Sequence, residues 1–307
     1  MANRWAYGIF LVLGLAVVSF IVAGFIGIFM DLSPSARGTG NVMLISVSGA
    51  ITSQPSQGLF SAEPSMSDFI VRNLEEAGRD PSIDAVILSI DSPGGGAVAS
   101  HEVVEAMKAL DKPKVAVIRS LGASGAYWIA SAADTIFANP LSIVGSIGVT
   151  SSYLEVSGLL ERYNITYERL VAGDFKDTGS PLRALEEEER EMLQGQIDRV
   201  HEIFMDDVAA NRALSAEALD AISEGRIFLG DEGLEYGLID HLGNVDDAKT
   251  YLEEDMNVTI RLREAQRSGP MFPFLASATE AFAFNFGRGF ASWLIEDDSQ
   301  DELFSLI

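Results

Sequence analysis

Residues 85–100 have the sequence AVILSIDSPGGGAVAS, and this stretch indicates the class of fold. Ala85–Ile90 is an apolar, β-prone run that predicts a buried strand, and Val98–Leu110 has the pattern of a helix. Gly94–Gly96 lies between them, where glycine lets the backbone turn tightly and approach a ligand closely. The stretch therefore predicts a βα unit joined by a glycine-rich turn.

The same alternation continues on both sides of this unit. Further strands are predicted at Val42–Val47, Val115–Ile118, Thr135–Ala138 and Val144–Val149, and further helices at Met66–Ala77, Ser124–Ala133, Glu186–Ala213 and Val245–Leu252. Strands that alternate with helices at this spacing predict an α/β fold with a mainly parallel sheet.

The N-terminal segment predicts a membrane anchor. Trp5–Met30 contains no charged residue, and it lies between Arg4 and Asp31. A spanning helix needs about 20 apolar residues, whereas the apolar part of a cleaved signal peptide has roughly 7–15. We therefore expect a retained single-pass anchor at residues 1–31. Arg4 before the span favours an N-terminus inside the cell and a domain outside the cell membrane.

The rest of the chain is expected to form a linker, one domain and a tail. Residues 32–40 are rich in Ser, Pro, Gly and Ala, as in a linker. The folded domain is expected at residues 41–255. Residues 256–307 become apolar and aromatic and then acidic, but Asn285 and Arg288 interrupt the apolar run. This tail is expected to pack on the domain or to form a subunit contact.

The charge balance excludes one class of partner. The chain has 45 acidic and 21 basic residues, a net charge of −24, and such a polyanion should repel nucleic acid. The excess is either a solvated acidic surface or a halophilic adaptation to high salt, and the scarcity of lysine favours the second. A stability curve in KCl distinguishes them, because equal stability at low and molar salt contradicts salt adaptation.

A serine in a short glycine- and alanine-rich segment is the candidate nucleophile. Gly122–Tyr127 follows a predicted strand and opens a helix, with Ser124 between small neighbours. The Gly125 N–H can point into the same space as the Ser124 hydroxyl, as in a nucleophile elbow, although the segment is not GxSxG. An N-cap serine would have the same sequence, so both interpretations stay open here.

The glycine-rich turn at Asp91–Gly96 is the candidate anion-binding element. Its exposed N–H groups can bind a developing oxyanion. No GKS or GKT follows the glycines, which argues against a phosphate-binding loop. A plain strand-to-helix turn is the alternative.

Lysine is a stronger candidate for the general base than histidine. His101, His201 and His241 have no Asp partner at a suitable spacing, and the absence of Cys and of HExxH argues against a zinc site. Lys176 lies in the polar loop Gly173–Pro181. Burial lowers the pKa of a lysine, so a desolvated lysine beside a serine can take its proton. The alternative is a surface lysine, the position expected of the other four, Lys108, Lys112, Lys114 and Lys249.

Five segments together resemble the signal peptide peptidase A family in its short form. These Ser–Lys peptidases belong to the ClpP/crotonase superfamily. The segments occur in the family's order: DSPGGG at 91–96, GASGAYWIAS at 122–131, PLSIVGSIGV at 140–149, FKDTGSPLR at 175–183 and GRIFLGDEGLEYGLID at 225–240. The resemblance implies an α/β fold of repeated ββα units with a mainly parallel sheet, preceded by one transmembrane helix.

The resemblance also implies a site and a function. Ser124 would be the nucleophile, Lys176 the general base and Ser146 the residue that orients the base. The amides of Gly95 and Gly125 would form the oxyanion hole, with Gly94 as the alternative to Gly95. No metal and no nucleotide or other cofactor is implied. The substrates would be remnant signal peptides and unfolded segments, and the subunits would form a homo-oligomeric ring on the membrane, such as an octamer.

Three other functions are compatible with parts of the pattern. A membrane protease that clips stomatin-like proteins would share the glycines, but the segment at 175–183 favours signal peptide peptidase A. The anchor and the Ser–Lys pair argue against a crotonase-type acyl-CoA enzyme. The presence of both Ser124 and Lys176 argues against a non-catalytic membrane scaffold.

Overall fold

The computed structural model describes residues 40–57 and 62–265, together with the helical residues 14, 18 and 19. The chain divides into two compact units. The larger comprises Gly40–Ser53 and Met66–Ala265, and the smaller comprises Met1–Thr39, Gln54–Ser65 and Gln266–Ile307. The expected anchor and linker lie almost entirely outside the described residues, as does the tail beyond Ala265. Within the described ranges, no helix has the length and apolar character needed to cross a bilayer.

One eight-stranded sheet forms the centre of the larger unit. Its strands are β1 (Val42–Ser48), β4 (Ala85–Ser92), β5 (Lys114–Ala123), β6 (Thr135–Ala138), β7 (Ile143–Gly145), β8 (Ile227–Leu229), β9 (His241–Leu242) and β10 (Leu262–Glu264). The order β10-β1-β4-β5-β6-β9 is parallel throughout, β7 pairs in parallel with the end of β5, and β8 is antiparallel to β7. The predicted α/β class with a mainly parallel sheet is therefore confirmed. In the smaller unit, β2 (Ser56–Gln57) and β3 (Ala62–Glu63) form an antiparallel pair.

Eight helices accompany the sheet in the described part of the larger unit. They are α1 (Met66–Arg79), α2 (Ala97–Ala109), α3 (Gly125–Ser131), α4 (Ser157–Arg162), α5 (Glu187–Arg212), α6 (Ala216–Ser223), α7 (Gly230–Glu235) and α8 (Val245–Met256). The apolar face predicted for α1 is buried.

The two faces of the sheet are covered by different helices. Alternation along β1 places Met43, Ile45 and Val47 in the core under α1, α2 and α3, and places Val42 in a second core under α8. Both faces of the central strands are thus covered, which explains their almost continuous apolar sequences.

The larger unit continues past the boundary at residue 255 that the sequence indicated. Val42 of β1 pairs with Leu262 of β10, and the Ala265 N–H donates to the Leu44 carbonyl at 2.9 Å. A three-residue strand that carries two charged side chains has no alternation by which the sequence could reveal it.

The segment at 225–240 makes contacts that stabilise the fold. Asp240 accepts hydrogen bonds from Arg212 at 2.7 Å and from the Ile136 N–H at 2.7 Å. A Cβ atom on Gly230 would lie 2.1 Å from the Asn139 carbonyl oxygen, so only glycine fits there. The buried Tyr127 hydroxyl donates to the Leu238 carbonyl at 2.8 Å.

Replacing Lys112 by methionine is expected to destabilise the fold by about 2 kcal/mol. Lys112 is part-buried, not a plain surface lysine, and its Nζ donates to the carbonyls of Ala77, Asp80 and Ile83 at 2.7, 2.7 and 2.8 Å. Methionine keeps the aliphatic stem but leaves the three carbonyls without this donor. The Tm in calorimetry should fall by about 4–8 °C.

The matched control for this variant is Lys249→Met. Lys249 lies on α8 and makes only a 3.8 Å ion pair with Glu253, so its loss should change stability by less than about 0.5 kcal/mol. Equal Tm values for the two variants would contradict the role given to Lys112.

Candidate active site

Three parallel strands end at the edge of the sheet that carries the predicted site residues. The register pairs Ser92 with Gly122 and Ala123 with Gly145. Ser124 and Ser146 therefore directly follow paired residues on neighbouring strands. The Ser124 N–H donates to the Gly145 carbonyl at 2.8 Å, which fixes the two serine segments side by side.

Both serines have backbone conformations that are rare for residues with a side chain. Ser124 has φ 55° and ψ −129°, and Ser146 has φ 52°. Such conformations cost free energy and persist where surrounding contacts hold them. The Ser124 carbonyl accepts from the Trp128 N–H at 3.0 Å, and the Ser146 N–H donates to the Arg226 carbonyl at 2.7 Å. Each serine thus lies at a sharp, fixed turn after its strand.

The glycine-rich turn packs directly on the Ser124 segment. Gly94 has φ 90°, and a Cβ atom there would lie 2.7 Å from the Gly125 nitrogen and 3.0 Å from the Ser124 Cβ. At Gly95 a Cβ atom would lie 2.0 Å from the Ile51 carbonyl oxygen. Only glycine therefore allows this approach at either position.

The amides of this turn differ in their hydrogen bonding. The Gly94 N–H donates to Ser92 Oγ at 3.1 Å, and that hydroxyl donates to the Gly49 carbonyl at 2.6 Å. The N–H groups of Gly95 and Gly125 have no acceptor among residues 40–57 and 62–265. Two backbone donors beside Ser124 are therefore available to a ligand.

The predicted base lies on a segment outside the core. None of residues 150–188 is buried in the single chain. The Lys176 side chain is exposed, and its amine makes no hydrogen bond or ion pair with any described residue, Ser124 and Ser146 included. The sequence argument expected a buried amine, and a single chain does not provide that burial because this segment packs on neither core.

A network of charged side chains fixes the loop next to Lys176. The Asp177 carboxylate accepts from Arg169 at 2.7 and 2.9 Å and from Arg183 at 2.9 and 3.1 Å. Arg183 also donates to the buried Glu189 at 2.7 Å, and the Thr178 hydroxyl donates to Glu189 at 2.9 Å. The Lys176 loop is thereby attached to the first turn of α5.

The same network lowers the pKa of its two carboxyl groups. Hydrogen bonds from Arg183, then from the Glu186 N–H, lower the pKa of Glu189 from 4.5 to about 2. Hydrogen bonds from Arg169 and Arg183 lower the pKa of Asp177 still further. Asp177 is held by two arginines and so is not free to pair with the adjacent Lys176 amine.

The histidines lie apart from these groups. His101 packs on the Trp128 ring at 5.5 Å, and His241 lies between Phe137 at 4.8 Å and Tyr251 at 5.6 Å. His201 has a buried Nε2 without a partner in the described chain. Neither an ion pair between histidine and carboxylate nor a group of residues that could hold a metal ion is present in the part of the chain that the structure describes.

The comparison with known families decides the assignment. The profile of peptidase family S49 matches residues 106–259, which is half of the chain and includes Ser124, Ser146 and Lys176. The chain belongs to peptidase family S49. Its glycine turn at residues 94–96 lies before the matched range.

Several relatives are similar over about two thirds of this chain. A candidate protease of Methanocaldococcus jannaschii is 35% identical over 204 residues, which is 66% of each chain. A candidate signal peptide peptidase SppA of Enterococcus faecium is 33% identical over 221 residues, 71% of this chain and 64% of that one. A candidate protease of Synechocystis is 36% identical over 210 residues, 67% and 71% of the two chains. The chain thus spans about two thirds of the length of these relatives.

A solved protease structure also matches most of the chain. The 1510-N membrane-bound stomatin-specific protease is 17% identical, with a TM-score of 0.48, and the match covers 75% of this chain and all of that one.

Sequence reasoning missed the residues that support this S49 site. Ser92 engages the Gly94 amide, and Arg183 links the Lys176 loop to Glu189. Both lie inside segments whose patterns indicated other residues as the functional ones. A polar residue among glycines is common in surface segments, and so is a basic residue before an acidic helix start. Neither pattern therefore indicates a functional residue by itself.

Acid is expected to release the Lys176 loop before it unfolds the core. Since the pKa of Glu189 is lower in the folded chain than in the unfolded chain, its contribution is complete above about pH 4.5 and is lost as the pH falls through about 2. Limited proteolysis between pH 5 and 2 should show increasing cleavage within residues 150–188. Glu189→Gln should show this cleavage already at pH 5. Equal pH profiles for the parent and this variant would contradict the anchoring role of Glu189.

Proposed function

We propose that this S49 chain is a membrane-anchored serine endopeptidase in which Ser124 is the nucleophile and Lys176 the general base. One observation carries the proposal: two unengaged backbone N–H groups, of Gly95 and Gly125, lie beside a serine held in a strained turn at the end of β5. Backbone donors fixed next to a nucleophile are what acyl transfer requires for its oxyanion.

The proposed reaction proceeds in two stages, the formation of an acyl-enzyme and its hydrolysis. The neutral Lys176 amine takes the Ser124 proton while Oγ attacks the peptide carbonyl carbon, and the resulting oxyanion accepts hydrogen bonds from Gly95 and Gly125. The C–N bond then breaks, and the Lys176 ammonium gives its proton to the leaving amine. In deacylation the same amine takes a proton from water as the water oxygen attacks the acyl carbon, and the Lys176 ammonium returns the proton to Ser124 Oγ as the C–O bond breaks. No metal or cofactor takes part in this scheme.

The hydrogen bonding favours Gly95 over Gly94 as the first oxyanion donor. The Gly94 N–H is already engaged by Ser92 Oγ, and breaking that bond would leave a buried hydroxyl without its donor. The Gly95 N–H can donate to an oxyanion without breaking an existing hydrogen bond. Its peptide is held in place by Ile51, whose N–H donates to Gly94 at 3.0 Å and whose carbonyl accepts from Gly96 at 2.9 Å.

Ser146 is proposed to orient the base. It follows β7 directly beside Ser124, and its backbone N–H is fixed on Arg226. A hydroxyl at this place can accept from a lysine amine that approaches Ser124, which would direct the nitrogen lone pair at the nucleophile.

An oligomer is proposed to provide the burial that Lys176 lacks in one chain. Large apolar side chains are exposed on the segment around it, among them Leu154 at 83% and Leu170 at 94%. Exposed apolar side chains on a segment without a core indicate a protein contact. In a homo-oligomeric ring, a second copy of this chain would cover the exposed segment around Lys176. Each subunit would carry one ClpP/crotonase-like domain.

Signal peptides are the proposed substrates, with unfolded segments as a further class. The uncharged run Trp5–Met30 would hold the enzyme at the membrane, where such peptides remain after secretion. The domain would then lie outside the cytoplasm, and the excess of acidic residues would suit a salt-rich medium.

The test is cleavage of a quenched-fluorescent peptide by the full chain in detergent micelles. One peptide should carry the apolar core of a signal peptide, and a control of equal length should be polar and acidic. We expect cleavage of the apolar peptide at least about tenfold faster, with the new ends identified by mass spectrometry. Failure to cleave either peptide at any salt concentration would contradict the proposed function.

A further inference from the structure

Ser100 on α2 carries a hydroxyl that the scheme above does not use. Its side chain is fully buried, and its Oγ has no hydrogen-bond partner in the part of the chain that the structure describes. A buried hydroxyl without a partner costs roughly 1–3 kcal/mol. Such a group needs a physical explanation, because alanine would fill nearly the same space without that cost.

The Ser100 hydroxyl lies against the candidate oxyanion pocket. A Cβ atom on Gly125 would be 2.2 Å from Ser100 Oγ and 3.5 Å from the Gly95 nitrogen. The hydroxyl therefore fills the space that a side chain at residue 125 would need, on the side of Gly125 that is near Gly95. Residue 125 must therefore be glycine as long as residue 100 is serine.

Ser100 also joins the two halves of the pocket. Its N–H donates to the Gly96 carbonyl at 3.0 Å, so its backbone is attached to the glycine turn, while its side chain contacts Gly125. Two amides stabilise one oxyanion only when both N–H groups point at the same place, and small displacements reduce the rate strongly.

We propose that Ser100 is a positioning residue that holds the Gly125 N–H in line with the Gly95 N–H. Its Oγ accepts a weak hydrogen bond from the Gly125 Cα–H, a contact that a methyl group cannot supply. This inference rests on the proposed function, because it concerns the geometry of that oxyanion pocket.

The test compares Ser100→Ala with Ser131→Ala in the full chain. Ser100→Ala should lower kcat about fivefold with KM nearly unchanged, and should weaken the binding of a peptide aldehyde by the same factor. Its Tm should not fall, since the variant removes a buried hydroxyl that makes no conventional hydrogen bond. Ser131 is equally buried, but its hydroxyl donates to the Trp128 carbonyl at 2.7 Å and accepts from Asn211 at 3.2 Å. Ser131→Ala should therefore lower the Tm and leave kcat unchanged.

The results distinguish a positioning role of Ser100 from a general packing role. An active parent chain whose kcat and aldehyde affinity are unchanged in Ser100→Ala would overturn the inference. A fall in kcat accompanied by a matching fall in Tm would also overturn it, because a general packing defect would then explain the loss. An inactive parent chain would instead contradict the proposed function and, with it, this inference.

Discussion

Replacing Ser124 by alanine is expected to lower kcat for peptide cleavage by about 10⁴-fold or more. The variant removes the only atom that forms the covalent bond to the acyl group, while the amides of Gly95 and Gly125 stay in place. KM should change little, because the hydroxyl contributes mainly to the transition state. The measurement is steady-state cleavage of the apolar fluorogenic peptide in detergent micelles.

The matched control for this variant is Ser120→Ala. Ser120 is an exposed serine on β5, the strand that Ser124 follows, and it lines a cavity of about 650 Å³ on the sheet face that carries α8. None of the proposed site residues lines that cavity. We expect kcat for Ser120→Ala within about twofold of the parent chain. A Ser124→Ala variant as active as Ser120→Ala would exclude Ser124 as the nucleophile.

Replacing Lys176 by alanine is expected to lower kcat by about 10³-fold. Without a base, the Ser124 hydroxyl keeps its proton and attacks slowly. Lys176→Arg should be equally inactive, since a guanidinium stays protonated at every accessible pH and cannot take a proton. Lys108→Ala is the control, because that amine pairs with Asp207 and lies on α2 away from the site. The cleavage rate of the parent should rise with pH, and that rise should be absent from both Lys176 variants.

A mixing experiment then asks which copy supplies the amine. Lys176 makes no hydrogen bond with Ser124 within the described chain, and its segment is exposed. Coexpression of Ser124→Ala with Lys176→Ala should therefore restore part of the activity, because one variant still carries the serine and the other the lysine. No recovery in oligomers shown to contain both variants would place the pair within a single subunit and would require the segment to move.

The parts of the fold that depend on hydrophobic periodicity could be predicted from the sequence. The central strands and the long helix Glu187–Arg212 agree with their predicted ranges to within a few residues, except that β5 extends to Ala123 and β7 ends at Gly145. These elements bury apolar side chains at regular spacing, and burial is the dominant stabilising term. The short elements between residues 214 and 244, together with β10, have too few residues for a period to be visible.

The candidate site likewise contains residues whose position the sequence could predict and residues whose position it could not. Residues fixed by strand register, such as Ser124 and Ser146, could be placed because a serine after a buried strand must lie at the sheet edge. The exposure of Lys176 could not be predicted, because the packing of a polar loop leaves no hydrophobic periodicity in the sequence. The proposed choice of Gly95 over Gly94 depends on a single hydrogen bond that the Gly94 N–H donates to Ser92 Oγ, which no sequence pattern encodes.

The most direct measurement is mass spectrometry of the full chain, quenched during turnover of a peptide ester. The account predicts a transient mass increase equal to the acyl group, located by digestion on the peptide that contains Ser124, and absent from Ser124→Ala. An acyl group on a different residue, or turnover with no covalent species under conditions where deacylation limits the rate, would contradict it.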